Sequence, residues 1–418
     1  MTKFLKILFP QYIRNIYHLI QAILANFIYG FPSKNIKVIG VTGTDGKTTT
    51  VQMITGILEE GGHKVAMAST INFKIGEKEW HNNSHFTTPS PFAVQKFIKQ
   101  ATDAKCEYLV LETSSHSLDQ HRAWGIAYDT AVITNVTREH LDYHKTMEKY
   151  RKAKRKLFKK AKTAIINLDA EQAEYFLRCA NDKKITCSLK NNKADIFADN
   201  IELGINKSTF SIDNQKFTLN LIGDFNIENA LVAIGAGVSK NIDLETCAKA
   251  LEKIKGVSGR MEYVKNSREL NILVDFALTP GALEKLYTLL IKIKKPEARI
   301  IAVFGSCGDR DRGKRPIIGE IVSRYANFVI VTNDEPYHED PMQIIKEITA
   351  GIKNKKEGED FWIIPDRREA IKKALELARP NDIIAVTGMG EFELMVVGDE
   401  KIPWNDKKVI LEVLQESE

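Results

Sequence analysis

The sequence is poor in cysteine, with five among 418 residues, and no two of them form a C-x-x-C pair or stand at a spacing typical of metal ligands. The five are Cys106, Cys179, Cys187, Cys247 and Cys307. This pattern argues against a zinc ribbon and against a scaffold held together by disulfides. It predicts reduced thiols in a cytoplasmic protein.

The sequence also lacks a strong excess of either charge. Sixty Lys and Arg residues stand among 54 Asp and Glu residues, for a net charge of +6. This balance does not indicate nucleic-acid binding, and small anionic substrates are equally compatible with it. Apolar residues make up 43% and charged residues 27% of the chain, which is ordinary for a globular enzyme of two or three domains.

Long uninterrupted hydrophobic runs are missing as well. Residues 4–31 are rich in Phe, Leu, Ile and Tyr, but Arg14, His18 and Gln21 interrupt them, so no membrane-spanning helix is expected. A signal peptide is not expected either, because no small-residue cleavage site is present. Two interpretations remain open. The segment is an amphipathic helix on the inner face of the membrane or against a partner, or it is a helix packed on the protein's own core.

Residues 38–50 have the layout of a phosphate-binding loop, in which an apolar strand runs into a glycine turn, Lys-Thr and a helical pattern. Gly43 and Gly46 allow backbone N–H groups to point at a phosphate, and the helix N-terminus adds the positive end of its dipole. Lys47 would reach the outer phosphates, and the Thr48 hydroxyl would sit on Mg2+. The first glycine lies one residue further away than in the strict motif, yet the segment predicts binding of ATP or GTP.

Short apolar strands alternate with helical patterns from about residue 37, which predicts an α/β fold with mostly parallel sheets. Residues 195–222 instead predict a small antiparallel hairpin region, and the alternation restarts after a linker at 255–259. We therefore predict three parts. They are an apolar helical extension over residues 1–35, a central P-loop mononucleotide-binding domain over 36–256 and a C-terminal Rossmann-like domain over 257–418.

Polar residues in three further segments could carry chemistry. Glu112 ends an apolar strand, where parallel sheets bind ligands, and a carboxylate beside a phosphate loop is a natural Mg2+ ligand. His140 and His144 stand four residues apart and could bind a metal from one helix face, although surface positions are commoner for such pairs. In residues 304–316, two glycines (305 and 308) follow a strand, and four basic and two acidic residues stand beside them, which predicts either an anion-binding turn or a charged surface loop.

Eight short segments stand in a fixed order along the chain. They are TGTDGKT (42–48), TTP (87–89), ETSSHSLDQHR (112–122), NVTREHLDYH (135–144), YRKAK (150–154), GDFNIENA (223–230), GRME (259–262) and GSCGDRDRGKRP (305–316). Together they resemble the motifs of the Mur ligases, and most closely those of the MurE type, the UDP-N-acetylmuramyl-tripeptide synthetases. The resemblance extends from about residue 36 to about residue 410.

The resemblance implies an ATP-dependent acid–amino-acid ligase of peptidoglycan precursor synthesis. In such ligases ATP phosphorylates a carboxylate of the muramoyl peptide, and the amine of an amino acid attacks the acyl phosphate. The implied cofactors are ATP and two Mg2+ ions. Lys47, Glu112, His140 and Lys154 match catalytic positions. Thr48, Glu112, His140 and a carbamylated Lys154 match metal ligands. No nucleic-acid partner is implied.

Other positions match the family's binding contacts. Those that match nucleotide contacts are Gly43, Thr44, Gly46, Lys47, Thr48, Thr49, Asn226, Asn229, Arg260 and Asp275. Those that match contacts to the muramoyl peptide are Thr87, Thr88, Ser114, Gln120 and Arg122. Arg310, Asp334 and Glu335 match the amino-acid site, where an arginine can grip a carboxylate with two parallel hydrogen bonds.

Four departures from the family pattern bear on the substrate. Diaminopimelate-adding relatives carry Asp-Asn-Pro-Arg where this chain has Asp-Glu-Pro-Tyr at 334–337, which removes a carboxylate clamp and adds the negative charge of Glu335. That change favours an amino acid with a cationic side chain, such as lysine or ornithine. Residues 388–392 and 275–280 also differ from the family's motifs. The family's N-terminal uridine-binding domain is expected to be lacking before the phosphate loop.

Three alternatives remain open beside a nucleotide-linked muramoyl peptide as acceptor. The chain could act on a lipid-linked precursor, which a membrane-lying helix would suit. It could be a polyglutamate-type ligase, or a relative that binds nucleotide without catalysis. Intact Lys47, Glu112, His140, Lys154 and Arg310 argue against the last alternative.

Overall fold

A computed structural model describes residues 10–82, 86–204 and 207–416 of the chain. Its first helix, α1 (Gln11–Tyr29), begins after Pro10 and ends at Gly30, whose positive φ of 68° is the conformation that favours glycine at a helix end. This agrees with the helical segment expected over residues 4–31, of which residues 4–9 lie outside the described part. Ala22 and Ala25 face the protein and are fully buried. The opposite face is exposed. The structure thus shows α1 packed on the protein along one side, and contact of the exposed side with a membrane or a partner stays a prediction.

The central sheet has nine strands in the order β4-β3-β2-β5-β1-β6-β7-β8-β9, parallel from β2 to β9 and antiparallel at β3 and β4. The strands are β1 (Lys37–Thr42), β2 (Val65–Ala68), β3 (Asn72–Ile75), β4 (Lys78–His81), β5 (Tyr108–Glu112), β6 (Tyr128–Ile133), β7 (Thr163–Asn167), β8 (Lys183–Ser188) and β9 (Ile196–Phe197). The carboxyl ends of β5, β1 and β6 therefore lie side by side, and parallel sheets bind ligands where the strand order reverses.

Helices cover both faces of this sheet. They are α2 (Lys47–Glu60), α3 (Pro91–Asp103), α4 (Ser115–Asp119), α5 (Leu141–His144), α6 (Met147–Phe158), α7 (Ala173–Leu177), α8 (Asp224–Val238) and α9 (Leu244–Lys253). The buried strands are almost wholly apolar, as expected for a sheet covered on both sides. In α8, a Cβ on Gly235 would lie 3.0 Å from Cys187 Sγ, so glycine lets this helix approach the sheet closely.

A small antiparallel sheet follows the central one. It consists of β10 (Asp199–Leu203), β11 (Ser208–Ile212) and β12 (Gln215–Leu219). Phe210 and Phe217 stand opposite each other in it, with their rings stacked at a centroid distance of 5.0 Å. The hairpin region expected over residues 195–222 is present.

A second sheet has six strands in the order β13-β14-β18-β15-β16-β17, with only β13 antiparallel to its neighbour. The strands are β13 (Glu262–Val264), β14 (Asn271–Asp275), β15 (Ile300–Phe304), β16 (Phe328–Val331), β17 (Phe361–Ile363) and β18 (Ile383–Thr387), and a hairpin of β19 (Leu394–Val397) and β20 (Glu400–Pro403) follows. The helices are α10 (Pro280–Ile293), α11 (Arg315–Tyr325), α12 (Pro341–Thr349), α13 (Arg367–Leu377) and α14 (Asp406–Glu416).

The predicted α/β class, with a nucleotide-binding central domain and a C-terminal α/β domain, is confirmed. The boundaries at residues 35 and 256 stay predictions. Within the described parts of the chain, none of the helices combines the length and the apolar character needed to cross a membrane.

Candidate active site

The phosphate loop connects β1 to α2. Gly46 precedes the helix with φ 79°, and a Cβ at this position would lie 2.2 Å from Asn229 Oδ1. Only glycine fits, because the backbone conformation and the neighbouring amide both exclude a side chain. Gly46 thus allows α8 to bring Asn229 against the loop.

The end of β6 holds the loop in place. Thr44 N donates to the Asn135 carbonyl oxygen at 2.9 Å, and Asp45 N donates to Asn135 Oδ1 at 3.0 Å. Thr134 Oγ1 donates to the Asp45 carbonyl oxygen at 2.6 Å. The loop is therefore positioned by an adjacent strand end and keeps its shape through several hydrogen bonds.

Glu112 is the acidic centre of the site. The Thr48 hydroxyl donates to Glu112 Oε2 at 2.9 Å, and Thr70 donates to Glu112 through both its backbone N (2.8 Å) and its hydroxyl (3.0 Å). Glu112 is 1% exposed, so these donors satisfy an otherwise buried carboxylate. Lys47 Nζ lies nearby and donates to the Thr44 carbonyl oxygen at 2.7 Å.

Lys154 projects from α6 towards the underside of the loop. Its Nζ donates to the Gly43 carbonyl oxygen at 2.6 Å and lies 4.4 Å from the centre of the Tyr150 ring. The side chain is 1% exposed. Burial, followed by the positive charge of Lys47, lowers the pKa of Lys154 well below its ordinary value. A buried amine of this kind favours its neutral form.

Three histidines cluster beside this lysine. The His116 ring lies 4.6 Å from the His140 ring and 5.4 Å from the His144 ring, measured between centroids. Burial, with His116 and Lys154 nearby, lowers the pKa of His140 well below its ordinary value, so the ring is neutral. His144 Nε2 lies 3.0 Å from Ser115 Oγ. Across the described residues, no group of three or more His, Cys, Asp or Glu side chains could hold a metal ion. Metal binding by His140 and His144 stays a prediction.

The residues expected to hold the muramoyl peptide surround the other side of Glu112. Thr88 Oγ1 donates to the Glu112 carbonyl oxygen at 2.9 Å and accepts from Ser114 N at 2.9 Å. Arg122 donates to the Thr88 carbonyl oxygen at 2.7 Å, and its burial lowers its pKa to about 10. Thr87 Oγ1 lies 3.2 Å from Thr70 Oγ1.

Gln120 lies further out on this side, at the C-terminal end of α4, where its backbone N donates to the His116 carbonyl oxygen.

The second sheet supplies the opposite wall. Asp275, at the end of β14, accepts from Met261 N and Ala277 N, each at 2.7 Å. Burial raises the pKa of Asp275. Arg260 pairs with Glu391 at 2.6 Å and stacks over the Phe276 ring at 4.4 Å.

The segment of residues 334–337 stands beside Arg310. The Tyr337 hydroxyl donates to Glu335 Oε2 at 3.1 Å, and the Arg310 guanidinium lies 5.1 Å from the Tyr337 ring centre. The other Glu335 oxygen, Oε1, is buried and forms no hydrogen bond with the residues that the structure describes. Burial and the neighbouring Asp334 raise the pKa of Glu335 to about 7. Asp334 lies behind Glu335 and is fully buried.

A cavity of about 290 Å³ separates the two walls. The predicted site residues that line it are Thr44, Gly46, Lys47, Thr48, Thr49, Thr87, Glu112, His140, Asn226, Asn229, Arg260, Asp275, Arg310 and Glu335. The predicted residues that do not line it are Gly43, Thr88, Ser114, Gln120, Arg122, Lys154 and Asp334. Most of the predicted set therefore converges on one space between the sheets.

Some residues of the site were missed by reasoning from the sequence. Thr70 donates twice to Glu112, and its only signal was its place just after a buried strand. Lys314 pairs with Glu139 across the cavity, with 3.2 Å between Nζ and Oε1, and both are buried. Glu139 and Lys314 each lie in one of the eight family-like segments, but nothing in either segment indicated that the two side chains form a pair.

The donor set fits a magnesium nucleotide. Hydroxyl and carboxylate oxygens, which Mg2+ prefers, meet at Thr48 and Glu112. They stand at the N-terminus of α2, where a phosphate is stabilised by free N–H groups and the helix dipole. Fold and site therefore define a nucleotide-dependent α/β enzyme with its reaction space between two domains.

Comparison with known proteins gives the family. The family model described as "Mur ligase middle domain" matches residues 41–237, and that described as "Mur ligase, glutamate ligase domain" matches residues 259–390. A UDP-N-acetylmuramoyl-L-alanyl-D-glutamate–2,6-diaminopimelate ligase of Clostridium botulinum is 40% identical over 401 residues, covering 94% of this chain and 81% of the relative. A UDP-N-acetylmuramyl-tripeptide synthetase of Roseiflexus sp. is 39% identical over 406 residues, covering 92% and 79%.

Comparison with solved structures gives the same family. A UDP-N-acetylmuramoyl-L-alanyl-D-glutamate–2,6-diaminopimelate ligase superimposes with a TM-score of 0.62 at 32% identity, covering 91% of this chain and 79% of that one. A folylpolyglutamate synthase of Mycobacterium tuberculosis superimposes with a TM-score of 0.73 at 16% identity, covering 88% and 92%, which shows a shared fold alone. The chain belongs to the Mur ligase family. It is thus an ATP- and Mg2+-dependent ligase, and the predicted family is confirmed.

Proposed function

We propose that this chain joins an amino acid to a carboxylate of a muramoyl peptide in peptidoglycan precursor synthesis. The observation that carries the proposal is the convergence of two walls on one cavity. Lys47, Thr48 and Glu112 come from the central domain, and Arg260 and Arg310 come from the second domain. Transfer of phosphate to a carboxylate brings anions together, and cations on both walls reduce their repulsion.

ATP supplies the phosphoryl group that turns the acceptor carboxylate into an acyl phosphate. The residues proposed to hold the phosphates are Gly43, Thr44, Gly46, Lys47, Thr48 and Thr49. Asn226, Asn229, Arg260 and Asp275 are proposed to contact the rest of the nucleotide. The stacking of Arg260 on Phe276 and its pairing with Glu391 keep the guanidinium at the cavity wall.

Thr48 and Glu112 are proposed to hold one Mg2+ ion. A second ion would be held by Glu112, His140 and a carbamylated Lys154. Carbamylation requires a neutral amine, and the lowered pKa of Lys154 supplies one. The neutral ring of His140 retains a free lone pair for a metal. Carbamylation would place a negative charge on Lys154, close to the positive charge of Lys47.

The two substrates are proposed to enter from opposite sides. Thr87, Thr88, Ser114, Gln120 and Arg122 would hold the muramoyl peptide near Glu112. On the other side, Arg310 would grip the carboxylate of the incoming amino acid.

Glu335, backed by Asp334, would face the side chain of this amino acid. Glu335 Oε1, which has no hydrogen-bond partner among the described residues, favours a cationic partner, as in lysine or ornithine, because a buried carboxylate oxygen without a donor costs free energy.

The test is phosphate release from ATP with muramoyl-L-Ala-D-Glu as acceptor and a panel of amino acids. We expect release to require both the acceptor and one amino acid, with a cationic amino acid preferred. Release that ignores the acceptor, or none with any amino acid, would refute the ligase reaction proposed. Glutamate as the preferred addition would favour a polyglutamate-type reaction instead.

The form of the acceptor is a separate question. The expected lack of a uridine-binding domain stays a prediction, and the chain spans about four fifths of the length of the relatives that it matches.

A lipid-linked acceptor is the second candidate, because one face of α1 is apolar and exposed. Assays with nucleotide-linked and lipid-linked muramoyl dipeptide side by side distinguish them, and a clear preference for the nucleotide form would exclude the lipid-linked candidate.

We also propose a cytoplasmic location at the inner face of the membrane. The supporting observations are the five reduced, buried cysteines and the exposed apolar face of α1.

A further inference from the structure

The outer face of α1 carries a row of exposed apolar side chains. Tyr12, Ile16, Ile20, Leu24 and Ile28 follow each other at intervals of four residues, and each is between 50% and 67% exposed. Residues four apart on a helix lie on neighbouring turns, so each of these side chains adjoins the next, and the row winds gradually around the exposed side of the helix. We call these five residues the apolar row. A contiguous exposed row of large apolar side chains marks a contact surface.

The positive charge of the chain is concentrated in two segments, although the small net charge of the whole chain suggests that basic and acidic residues are evenly mixed. Residues 1–44 contain five Lys and Arg residues and no Asp or Glu. Residues 145–162 contain ten Lys and Arg residues and one acid, Glu148. The second segment alone has a net charge of +9, which exceeds the +6 of the whole chain, so the remainder is net negative.

The basic segment is built around α6 and adjoins α1. Asn15 of α1 donates to the Asp119 carbonyl oxygen at 3.4 Å, and Lys156 of α6 donates to the Asp119 carboxylate at 2.8 Å. Gln11 of α1 donates to the Tyr143 hydroxyl, 3.1 Å away, and this hydroxyl donates to Asp119 at 3.0 Å. Helix α1, which carries the apolar row, and the basic helix α6 are thus linked through Asp119.

The two faces of α6 are chemically distinct. Its inner face buries Lys154 against the phosphate loop. On the other side, Lys149 and Lys152 are exposed, and so are Lys159 and Lys160, which directly follow the helix. None of these four lysines pairs with a carboxylate in the part of the chain that the structure describes. We call these four the lysine patch. Unpaired lysines keep their charge available for a partner.

We propose that the apolar row and the lysine patch form one docking surface for an anionic lipid bilayer. The inference rests on the membrane contact proposed above for α1, and adds the lipid class and a second helix. An apolar helix face that enters the headgroup region needs flanking cations to bind firmly, and anionic headgroups supply their counter-charge. Nucleic acid would match the lysines but would leave the apolar row unused.

Two variants test the contributions of the lysine patch and of the apolar row separately. The first replaces the lysine patch with Gln at all four positions. The second carries Ile16→Gln and Ile20→Gln in the apolar row. A matched control replaces four exposed lysines of the C-terminal domain by Gln, namely Lys346, Lys353, Lys372 and Lys401, and so removes the same charge elsewhere.

The experiment is co-sedimentation of the full chain with vesicles of phosphatidylcholine, with or without phosphatidylglycerol. We expect binding to vesicles that contain phosphatidylglycerol and weaker binding to pure phosphatidylcholine. Replacement of the lysine patch should weaken vesicle binding at least about tenfold, because each lysine near an anionic surface adds to the electrostatic attraction between protein and membrane. Added salt should weaken binding as well. The apolar-row variant should also bind less, and the control should bind like the original chain.

Other outcomes would overturn the inference. They are no binding to either vesicle, binding that the control weakens as much as the lysine-patch variant does, or tight binding to a DNA duplex that the apolar-row substitutions leave unchanged. Phosphate release without vesicles is measured on the same preparations. Normal release without vesicle binding refutes the docking surface alone, whereas vesicle binding without release refutes the ligase reaction alone. Normal release by each variant also shows that it has folded.

Discussion

Lys154 Nζ donates a hydrogen bond of 2.6 Å to the carbonyl oxygen of Gly43, so the basic helix α6 and the phosphate loop are in direct contact. Among the described residues, no carboxylate forms an ion pair with this amine, and burial, followed by the positive charge of Lys47, lowers its pKa. A buried lysine with a lowered pKa beneath a phosphate loop supports the proposed carbamylation, which requires a neutral amine.

We expect Lys154→Ala to reduce ligase activity by at least about a hundredfold, which is the scale for removing one electrostatic contribution to a transition state. The matched control is Lys152→Ala, on the exposed face of the same helix, which should retain activity. Activity is measured as phosphate release. Full activity of Lys154→Ala would exclude the carbamate, and mass spectrometry of the intact chain would reveal the carbamate directly.

Replacement of Glu112 with Gln should raise the Mg2+ concentration needed for half-maximal activity at least about tenfold. The reason is that an amide retains one acceptor oxygen but loses the charge that a hard cation prefers. A titration of activity against Mg2+ measures the change. Glu171→Gln, an exposed position, serves as control. An unchanged Mg2+ requirement would remove Glu112 from the metal site.

The third prediction concerns the choice of amino acid. Glu335→Gln should reduce the preference for lysine over its neutral analogue norleucine at least about tenfold, because it removes the charge facing the side chain. Specificity is measured as the ratio of kcat/KM for the two amino acids, with Glu297→Gln as an exposed control. A preference that survives the substitution would show that another residue selects the side chain.

The buried pair of Glu139 and Lys314 should stabilise the contact between the two walls of the cavity. Glu139→Gln alone leaves a buried ammonium without a counter-charge, and we expect it to lower the free energy of unfolding by about 3 kcal/mol. The double variant Glu139→Gln/Lys314→Met should recover much of this loss. Urea unfolding of both single variants and the double variant measures the coupling. Additive effects would mean that the two residues do not interact.

The His116 ring predicts a pH dependence of stability. Burial, with His144 and other positive groups nearby, lowers its pKa to about 3, below the ordinary 6.5. Between these values the unfolded chain binds one more proton than the folded chain, so stability is lost as pH falls below about 6.5. The slope from this group is at most about 1.4 kcal/mol per pH unit.

The measurement is urea unfolding at several pH values. His116→Asn should show a shallower decline than the original chain over this range, and His81→Asn, an exposed control, should not. Equal declines in all three proteins would mean that His116 does not carry the effect.

Much of the fold was predictable because its signals are local. The alternation of apolar strands with helices was predicted from about residue 37, and the phosphate loop was recognisable from its glycines and Lys-Thr. Such patterns depend on residues adjacent in the chain. Thr70 could not be found in this way, because its hydroxyl and backbone N reach Glu112 from a strand end 42 residues away.

The exposed side of α1 illustrates the same limit. Its sequence is compatible with a buried helix and with a membrane-lying one, since both contain many apolar residues. Packing decided that Ala22 and Ala25 face inward, while Ile16 and Ile20 remain exposed.

By itself, the sequence determined the α/β class, the nucleotide loop and the family, since each depends on residue order within short segments. Only the tertiary structure decided which charges meet. It places Lys154 under the loop, Lys314 opposite Glu139, and Glu335 with one oxygen unpaired beside Arg310. Those relations depend on how two sheets pack against each other, and electrostatic interactions depend on distance and burial, which no local pattern encodes.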